Sequence, residues 1–499
     1  MSSAAPIRQA VILAGGKGTR IRKDHPDKNA IKVMLPVNDR PLLEWIVRNL
    51  ASALELERIT LVVGFGKEIV RAHFGDGARF GVAIEYLEAN PDDDLTGALK
   101  LAQPSADERF LLLLGDEFYL RPDYAALAAI DTADLDAVVA FTHSNNPHEI
   151  SKNYAVMLRE ESAPQGPLVA TLEENPVHLT NDCLGVGAFV FKSSVFDVID
   201  SLPNNPRTGR RELVDAASAL AEKGRVLAYD IGGKYVNINT VDDWKFADFL
   251  AKSATFEQAR KSVVIPTYNE AESILFVLRD FHDQVDEIVV ADGGSSDDTC
   301  AVVERFIPHS QADIILLRGK YVGYGDALRH GIDAATGQIV VMVEADATFR
   351  ARDIHKMYEY IKDSDMVIGT RTTRQLIHQG ANMANWLRFG NVLAAKLIEL
   401  AWWGMGEPRF TDVGCTFRVF WKSAYDEIKH NFIGLGPEFS PEMMIEFTRH
   451  NKRVIEIPVS YYPRIGGDSK HSQGLRGVMK TGSKMALLSL KKLFSKPVY

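Results

Sequence analysis

Two strand-to-loop segments, one near the start of the chain and one near its middle, constrain the fold more than any other feature. Each is a short apolar strand that runs directly into a polar loop, and the two read Gln9-Ala10-Val11-Ile12-Leu13-Ala14-Gly15-Gly16-Lys17-Gly18-Thr19-Arg20 and Ser262-Val263-Val264-Ile265-Pro266-Thr267-Tyr268-Asn269-Glu270. Because ligands of open α/β sheets bind beyond the carboxyl ends of the strands, each segment predicts the start of a nucleotide-binding domain.

Short apolar runs alternate with helical patterns in both halves, which is typical of mixed, mostly parallel sheets flanked by helices. In the first half the predicted strands are Val11–Leu13, Ile59–Val63, Ala83–Tyr86, Phe110–Leu114 and Ala137–Phe141, and the predicted helices are Pro41–Ala53 and Gly97–Ala102. In the second half the predicted strands are Ser262–Ile265, Glu287–Ala291, Asp313–Leu317, Ile339–Val343 and Asp365–Ile368. A chain of 499 residues exceeds one typical domain. We therefore predict two Rossmann-like α/β domains, residues 1–255 and 256–499, which meet in a short polar stretch.

Charge, cysteine content and hydropathy argue against several other classes of protein. A net charge of -9 argues against general nucleic-acid binding, since such proteins usually carry a basic face. Cys183, Cys300 and Cys415 lie far apart without metal-ligand spacing, which favours buried free thiols in a reducing compartment. The sequence shows neither a signal-peptide pattern nor an uncharged run of ~18 residues that could span a bilayer, so we expect a cytoplasmic protein.

The glycine loop after the first strand is suited to phosphate. Glycines let backbone N–H groups approach phosphate closely, and Lys17 and Arg20 can neutralise a triphosphate. A second element raises the specificity of this interpretation, and it reads Lys32-Val33-Met34-Leu35-Pro36-Val37. With both elements, residues 7–250 resemble the sugar-1-phosphate nucleotidyltransferase family, whose members are also called nucleotide-sugar pyrophosphorylases.

Further motifs of this resemblance follow in chain order. They are Leu95-Thr96-Gly97-Ala98-Leu99, Leu112-Leu113-Leu114-Gly115-Asp116, Asn153-Tyr154-Ala155-Val156, Glu173-Glu174-Asn175-Pro176 and Val236-Asn237-Ile238-Asn239-Thr240. Asn175 stands where the family usually has a lysine that contacts the sugar phosphate, which leaves the phosphorylated substrate open. Asn237 stands where many members have a metal-binding aspartate, and an amide oxygen can also bind Mg²⁺.

The resemblance implies in-line attack by a sugar-1-phosphate oxygen on the α-phosphate of a nucleoside triphosphate, with pyrophosphate as the leaving group. Positioning and charge neutralisation carry such a reaction. The catalytic cations would be Arg20, toward pyrophosphate, and Lys32, toward the α-phosphate. The implied nucleotide-binding residues are Leu13, Ala14, Gly15, Gly16, Gly18, Thr19 and Gly97. Asp116 and Asn237 would hold Mg²⁺ or Mn²⁺, and Glu174 would contact the substrate.

Carboxylates follow two strands of the second half. Asp292 ends one strand and could accept hydrogen bonds from a base or ribose. Glu344 and Asp346, two residues apart after Val340–Val343, suit a divalent cation that bridges a diphosphate. With the loop at Tyr268, residues 261–475 resemble glycosyltransferase family 2, in its dolichyl-phosphate mannosyltransferase-like subgroup of GT-A fold. Further motifs are Gly369-Thr370-Arg371, Asp412-Val413-Gly414-Cys415-Thr416-Phe417-Arg418 and Arg464-Ile465-Gly466-Gly467-Asp468-Ser469-Lys470.

This second resemblance implies sugar transfer from a nucleotide-sugar. The implied donor-binding residues are Pro266, Tyr268, Glu270 and Asp292, the implied metal ligands for Mg²⁺ or Mn²⁺ are Glu344 and Asp346, and the implied phosphate contacts are Arg371, Arg388, Arg418, Arg464, Ser469 and Lys470. A phosphate acceptor is already ionised and needs no strong base. For a hydroxyl acceptor Asp412 is the predicted base, with a structural salt bridge as the alternative. Glu344 replaces the usual first aspartate, and Thr348 stands where glutamine is common.

Two segments of the second half suggest a membrane surface. Residues 386–406 carry tryptophan, phenylalanine and leucine at near-helical spacing, and residues 476–499 carry six lysines or arginines and no acidic residue. Such segments are typical of peripheral attachment to anionic lipid, here at the cytoplasmic face. Together with the resemblance to the dolichyl-phosphate mannosyltransferase-like subgroup, they suggest a polyprenyl-phosphate or other lipid-linked acceptor. The alternative is a helix packed on its own domain or on a partner subunit, and a homo-oligomer stays open.

Two alternative functions are consistent with the motifs. In one, the first domain is a CTP-dependent cytidylyltransferase that makes a CDP-alcohol, and the second transfers it to a phospho-polyol. In the other, one domain is a degenerate nucleotide-sensing or scaffold module. The intact Arg20, Lys32 and Asp116 argue against the second alternative.

Overall fold

The computed structural model describes residues 6–25, 27–90, 93–174, 176, 181–381, 385–405, 408–466 and 474–495, without the side chains of residues 385–387 and 474–481. The chain divides into two compact units, Met1–Ala251 and Lys252–Tyr499. This division lies four residues before the predicted boundary. The helix Val241–Gln258 runs through most of the polar stretch in which the boundary was predicted.

The first unit is an α/β unit. Its strands are β1 (Gln9–Ala14), β2 (Pro36–Val37), β3 (Arg40–Pro41), β4 (Arg58–Val63), β5 (Ala83–Glu88), β6 (Arg109–Leu114), β7 (Glu117–Leu120), β8 (Ala137–His143), β9 (Tyr154–Ala163), β10 (Gly166–Glu174), β11 (Cys183–Lys192), β12 (Val226–Asp230) and β13 (Lys234–Asn237). Its helices are α1 (Thr19–Asp24), α2 (Leu42–Ala53), α3 (Lys67–Phe74), α4 (Leu95–Lys100), α5 (Tyr124–Ala129), α6 (Pro147–Lys152), α7 (Val195–Ser201) and α8 (Leu213–Ala221), followed by α9 (Val241–Gln258).

The main sheet of the first unit has the order β5-β4-β1-β6-β11-β8-β12-β10-β9. The first four strands are parallel, so β1, β4 and β6 all end at one edge. Every residue of β1 is buried, because helices cover both faces of the parallel part. Short β7 and β13 pair separately and place Glu117 opposite Asn237. The five strands predicted in this half are confirmed, whereas the second predicted helix lies two residues earlier, where Asp94 caps α4.

The second unit is also an α/β unit. Its strands are β14 (Lys261–Thr267), β15 (Glu287–Asp292), β16 (Asp313–Arg318), β17 (Ile339–Met342), β18 (Met366–Thr370), β19 (Arg418–Trp421) and β20 (Val454–Pro458). Its helices are α10 (Ile274–Phe281), α11 (Thr299–Phe306), α12 (Tyr324–Ala334), α13 (Ile354–Ile361), α14 (Asn385–Ala401), α15 (Lys422–Ile428), α16 (Phe439–Arg449) and α17 (Gly474–Phe494).

The sheet of the second unit has the order β16-β15-β14-β17-β19-β18-β20. Four neighbouring strands are parallel, and β19 is antiparallel to both of its neighbours. The carboxyl ends of β14, β15 and β17 therefore meet at one edge and bring the loops after Thr267, Asp292 and Met342 together. The predicted strands of this half and the mixed α/β class are confirmed. Within the described part of the chain, no helix is long and apolar enough to cross a bilayer.

Candidate active sites

The loop between β1 and α1 packs closely against Lys32 and against Gly64, which directly follows β4. Gly18 has a φ of 60°, and a Cβ atom there would lie 2.9 Å from the Cβ of Lys32. A Cβ atom on Gly64 would lie 2.5 Å from the carbonyl oxygen of Gly15. Gly16 has open space around it and is exposed. Only glycine fits the closely packed positions, and the open one leaves room for a ligand to approach the backbone.

A buried lysine holds the strand-end aspartate of the first unit. The Nζ of Lys32 lies 2.7 Å from Oδ2 of Asp116, and it also donates to Oδ1 of Asn239 at 3.5 Å. The Lys32 side chain is 9% exposed and that of Asp116 is 39% exposed, so the carboxylate is open on the side away from the lysine. The structure thus brings the predicted α-phosphate cation and the predicted metal ligand together.

Asn237 lies beside Asp116 at the edge of the small sheet. The backbone N–H of Ile238 donates to the carbonyl oxygen of Asp116 at 3.4 Å. The amide nitrogen of Asn237 donates to Oδ1 of Asn153 at 2.7 Å, which turns its Oδ1 away from that partner. A carboxylate and an amide oxygen are ligands that Mg²⁺ accepts, so the residues fit the predicted metal site. A bound Mg²⁺ would supply charge neutralisation to phosphate oxygens.

Glu117 is a buried carboxyl group that the sequence analysis missed. It accepts hydrogen bonds from the hydroxyl of Tyr235 at 2.8 Å, the hydroxyl of Tyr119 at 2.5 Å and the backbone N–H of Gly187 at 2.8 Å. Burial, and then the nearby Asp116, raise the pKa of Glu117 to about 7. These bonds join β7, β11 and β13 beneath the Asp116 edge. The signal in the sequence is a second acid directly after the strand-end aspartate.

Two other predicted residues of the first unit are bound to other groups of the protein, and a third is exposed. The backbone N–H of Gly97 donates to Oδ1 of the capping Asp94 at 2.7 Å. Glu174 pairs with Arg207, and Arg20 is exposed on α1. Burial is the largest influence on Glu174 and raises its pKa, which Arg207 only partly offsets. The ligand contacts of these residues stay predictions, and Asn175 lies outside the described residues.

Arg464 connects two strand-end acids in the second unit. Its Nη1 lies 3.4 Å from Oδ2 of Asp346, and its Nη2 donates to Oε1 of Glu270. Burial, together with the neighbouring Asp346, raises the pKa of Glu344. Two close carboxyl groups in a buried position are stabilised by a cation, and oxygen ligands suit Mg²⁺ or Mn²⁺. The structure thus groups the predicted metal ligands with Glu270 and Arg464.

Asp292 organises the loop that follows β15. It accepts hydrogen bonds from the backbone N–H groups of Gly294 and Ser295, both at 3.0 Å, and from the hydroxyls of Ser295 at 2.5 Å and Thr267 at 3.2 Å. Burial alone would raise the pKa of Asp292, but hydrogen bonds from Ser295, Cys300 and Gly294 lower it. Both carboxylate oxygens are thus engaged within the protein. The exposed ring of Tyr268 lies beside Gly293, and Pro266 lies within β14, so their contacts with a donor stay predictions.

Asp412 and Arg371 form a buried bidentate pair. Nε and Nη2 of Arg371 lie 2.8 and 2.9 Å from the two carboxylate oxygens, and the backbone N–H of Arg371 donates at 3.0 Å. Burial alone would raise the pKa of Asp412, but Arg371 lowers it. A carboxylate held ionised in this way is a weak base, so the geometry favours the structural salt bridge over the predicted base role.

Arg418 lies in the interior of the second unit, on β19. It is fully buried, and its guanidinium donates to the carbonyl oxygens of Cys415 at 3.1 Å and Ser440 at 2.7 Å. Burial lowers its pKa to about 10. These contacts support a structural role for Arg418. Among the described residues its Nη2 has no hydrogen-bond partner, so the predicted phosphate contact stays a prediction. Contacts of this kind, between a side chain and distant backbone, cannot be predicted from the local sequence.

Arg388 differs from Arg418 because it lines an open cavity. The other lining residues are Thr372, Phe389 and Val392. Thr372 directly follows Arg371, so this cavity is next to the buried Arg371–Asp412 pair. Ser469 and Lys470 lie outside the described residues.

Two family models match the chain, one in each half. The model described as Nucleotidyl transferase matches residues 9–245, and the model described as Glycosyl transferase family 2 matches residues 262–428. The first half is 30% identical over 238 residues to UTP--glucose-1-phosphate uridylyltransferase AglF of Haloferax volcanii. This alignment covers 47% of this chain and 93% of that relative. The second half is 30% identical over 217 residues to Glycosyltransferase AglJ of the same organism. This alignment covers 43% of this chain and 67% of that relative.

A solved structure of UDP-glucose pyrophosphorylase with UDP-glucose is also similar, with 19% identity and a TM-score of 0.44 over 50% of this chain and 99% of that one. The two sequence matches show that this chain is a transferase. It belongs to the nucleotidyl transferase family through its first half and to glycosyl transferase family 2 through its second half. These relatives do not favour the CDP-alcohol alternative or a degenerate scaffold domain.

Proposed function

We propose that the first half couples a nucleoside triphosphate with a sugar-1-phosphate, and that the second half transfers the sugar to a polyprenyl phosphate. The observation that carries the first reaction is the group of Lys32, Asp116 and Asn237 at the strand ends, where a cation lies 2.7 Å from a half-open carboxylate. Charge of both signs in one open site suits the binding of a metal-bound triphosphate.

In the first reaction, the residues of this chain position phosphates. Lys32, held against Asp116, would contact the α-phosphate as the sugar phosphate attacks it in line. Arg20, exposed on α1 just beyond the glycine loop, would neutralise the departing pyrophosphate. Such preorganised charge is the main source of rate in phosphoryl and nucleotidyl transfer, because no covalent intermediate is required.

In the second reaction, the phosphate acceptor would bind near Arg388. This arginine and Phe389 line the open cavity beside Thr372, so a cation and an apolar ring meet there. A lipid phosphate has the same two parts, a charged head and an apolar chain. The pairing of Asp412 with Arg371 supports such an acceptor, because an already ionised phosphate needs no protein base.

An apolar surface supports a lipid acceptor. On α14 the exposed apolar residues recur at helical spacing, and they are Phe389, Leu393, Leu397 and Leu400, followed by Trp403. On α17, which packs against α14, the exposed apolar residues are Leu487, Leu490, Leu493 and Phe494. We call these nine residues the apolar surface. Lys484 and Lys491 on α17 are exposed, so cationic groups accompany it, as in helices that lie on anionic membranes.

Pyrophosphate release tests the first reaction directly. The full chain is incubated with Mg²⁺, each nucleoside triphosphate and a panel of sugar-1-phosphates. Because AglF is named for UTP and glucose-1-phosphate, that pair is tried first. We expect one pair to release pyrophosphate well above the others. Failure of every pair would overturn the proposed first reaction.

A further inference from the structure

A histidine, an aspartate and a cysteine converge at one end of the main sheet of the first unit. Among the described residues, one group of three or more His, Cys, Asp or Glu side chains has its ligand atoms within 4.8 Å of one another, and it consists of His143, Asp182 and Cys183. None of these residues belongs to the Lys32–Asp116 group. The cluster is therefore separate from the residues to which the proposed reactions assign a role.

The sheet register brings these residues together. Cys183 begins β11 and lies directly opposite His143, the last residue of the antiparallel β8. Directly opposite residues project to the same face of a sheet, at a Cβ separation of about 5 Å. Asp182 precedes Cys183 and places its Oδ2 3.0 Å from Nδ1 of His143.

A second carboxylate faces the other ring nitrogen. Asp230 ends β12, which pairs with β8 on its far side, and its Oδ2 lies 3.9 Å from Nε2 of His143. A ligating histidine usually directs its second nitrogen to a carboxylate, which sets the ring orientation and the tautomer. The cluster thus has three possible ligands and an outer partner for the imidazole.

We propose that His143, Asp182 and Cys183 bind a divalent transition metal ion of the Zn²⁺ class. The donor set is one imidazole nitrogen, one thiolate sulfur and one carboxylate oxygen. Zn²⁺ takes these three kinds of ligand, whereas Mg²⁺ and Ca²⁺ prefer oxygen alone. The Cys183 residue is 3% exposed, while the His143 and Asp182 side chains are 55% and 54% exposed, so an ion can enter from solvent and keep a water in a fourth position.

Ion binding would deprotonate the thiol. The S–H bond breaks, the sulfur lone pair forms the bond to the metal, and the proton passes to solvent. The ion would join the ends of β8 and β11 and stabilise that edge of the sheet.

Cobalt is the sharpest probe, because Co²⁺ bound by a thiolate has an intense near-ultraviolet charge-transfer band. The full chain is titrated with Co²⁺ in excess Mg²⁺, which occupies sites made of oxygen ligands. In the wild type we expect the band to saturate at one equivalent of Co²⁺ and to disappear when Zn²⁺ is added. The band should be absent in Cys183→Ser and strongly reduced in His143→Gln. Cys300→Ser, which removes a cysteine of the second unit, should keep it.

The same titration can overturn the site. If the wild-type protein shows no thiolate band, or if Cys183→Ser keeps it, the proposal is wrong. The wild-type band answers the question even if a variant fails to fold. A melting temperature that rises with Zn²⁺ in the wild type and not in His143→Gln would add support, and equal shifts in both would count against the site.

Discussion

At the scale of single residues, each candidate site holds a cation against a strand-end acid. Lys32 lies 2.7 Å from Asp116 in the first unit, and Arg464 lies 3.4 Å from Asp346 in the second. Such a pair keeps both charges ordered before a ligand arrives, because each group limits the rotamers of the other. A metal-bound phosphate presents charges of both signs and can bind to both groups at once.

Glu456 on β20 binds the backbone of the segment that carries Asp412. Its carboxyl group accepts hydrogen bonds from the backbone N–H groups of Thr411 and Asp412 at 2.5 and 2.8 Å. Burial, followed by the charge of Asp412, raises its pKa to about 7. A raised carboxyl pKa means that stability is highest below the unfolded-state value of 4.5 and is lost as pH rises toward 7.

We therefore expect Glu456→Gln to flatten the pH dependence of unfolding. Relative to the wild type, the variant should gain about 2 kcal/mol in free energy of unfolding between pH 5 and pH 8, since it has no proton to lose at this position. Urea unfolding at both pH values measures this difference. If the difference in free energy of unfolding between variant and wild type is the same at pH 5 and at pH 8, the pKa of Glu456 is not raised in the folded protein.

At the scale of elements, α17 is attached to α16 by buried charges. Nζ of Lys492 lies 2.7 Å from Oε1 of Glu442 and 2.8 Å from Oε1 of Glu446. Glu442 also accepts from the backbone N–H groups of Ile433 and Gly434. The next residue, Leu435, accepts from the N–H of Asp326 in α12. The last helix is therefore connected, through Glu442, to the loop that packs on the start of α12.

Lys492→Met should weaken this connection. Removing one partner of a buried ion pair typically costs about 3–5 kcal/mol, so we expect a lower melting temperature and reduced sugar transfer. Lys491→Met is the matched control, because that lysine is the exposed neighbour on the same helix. Pyrophosphate release should be unchanged in both variants. Wild-type stability and transfer in Lys492→Met would contradict a structural role for the pair.

The apolar surface on α14 and α17 predicts sedimentation with lipid vesicles. We expect the protein to sediment with vesicles that contain anionic lipid. Leu397→Gln combined with Phe494→Gln should reduce the bound fraction several-fold, because each apolar side chain contributes about 1.5–3 kcal/mol when it is buried. Ile69→Gln, on an exposed apolar residue of the first unit, is the control. Equal binding of all three proteins would exclude this surface as the membrane contact.

At the scale of the whole molecule, the two families in one chain suggest consecutive reactions. If the first half supplies the donor of the second, a mixture of nucleoside triphosphate, radiolabelled sugar-1-phosphate and polyprenyl phosphate should give labelled lipid. Asp116→Asn should lower this coupled product at least about 100-fold, by loss of transition-state charge stabilisation. The same variant should transfer sugar normally from added nucleotide-sugar.

Asp197→Asn provides the matched control for that experiment, since Asp197 is an exposed aspartate on α7 of the same unit. It should leave both the coupled product and the direct transfer at the wild-type level. If Asp116→Asn makes labelled lipid as fast as the wild type, the first half does not supply the donor.

The sequence by itself determined the two-domain α/β architecture, five strands in each of the two large sheets and the two transferase families. These features are local: an apolar run of five residues is buried wherever a parallel sheet is covered on both faces, and a glycine loop or an acid at a strand end is visible in consecutive letters. The positions of Lys32 and Asp116 follow from such motifs.

The partners of the charged groups were decided only by the tertiary structure. Asp412 reaches Arg371 across 41 residues, Lys492 reaches Glu442 across 50, and His143 reaches Cys183 across 40. These pairs depend on strand order, register and helix packing, which no local pattern specifies. For the same reason the sequence could flag Asp412 and Arg418 as functional but could not show that both are buried and bound to other groups of the protein.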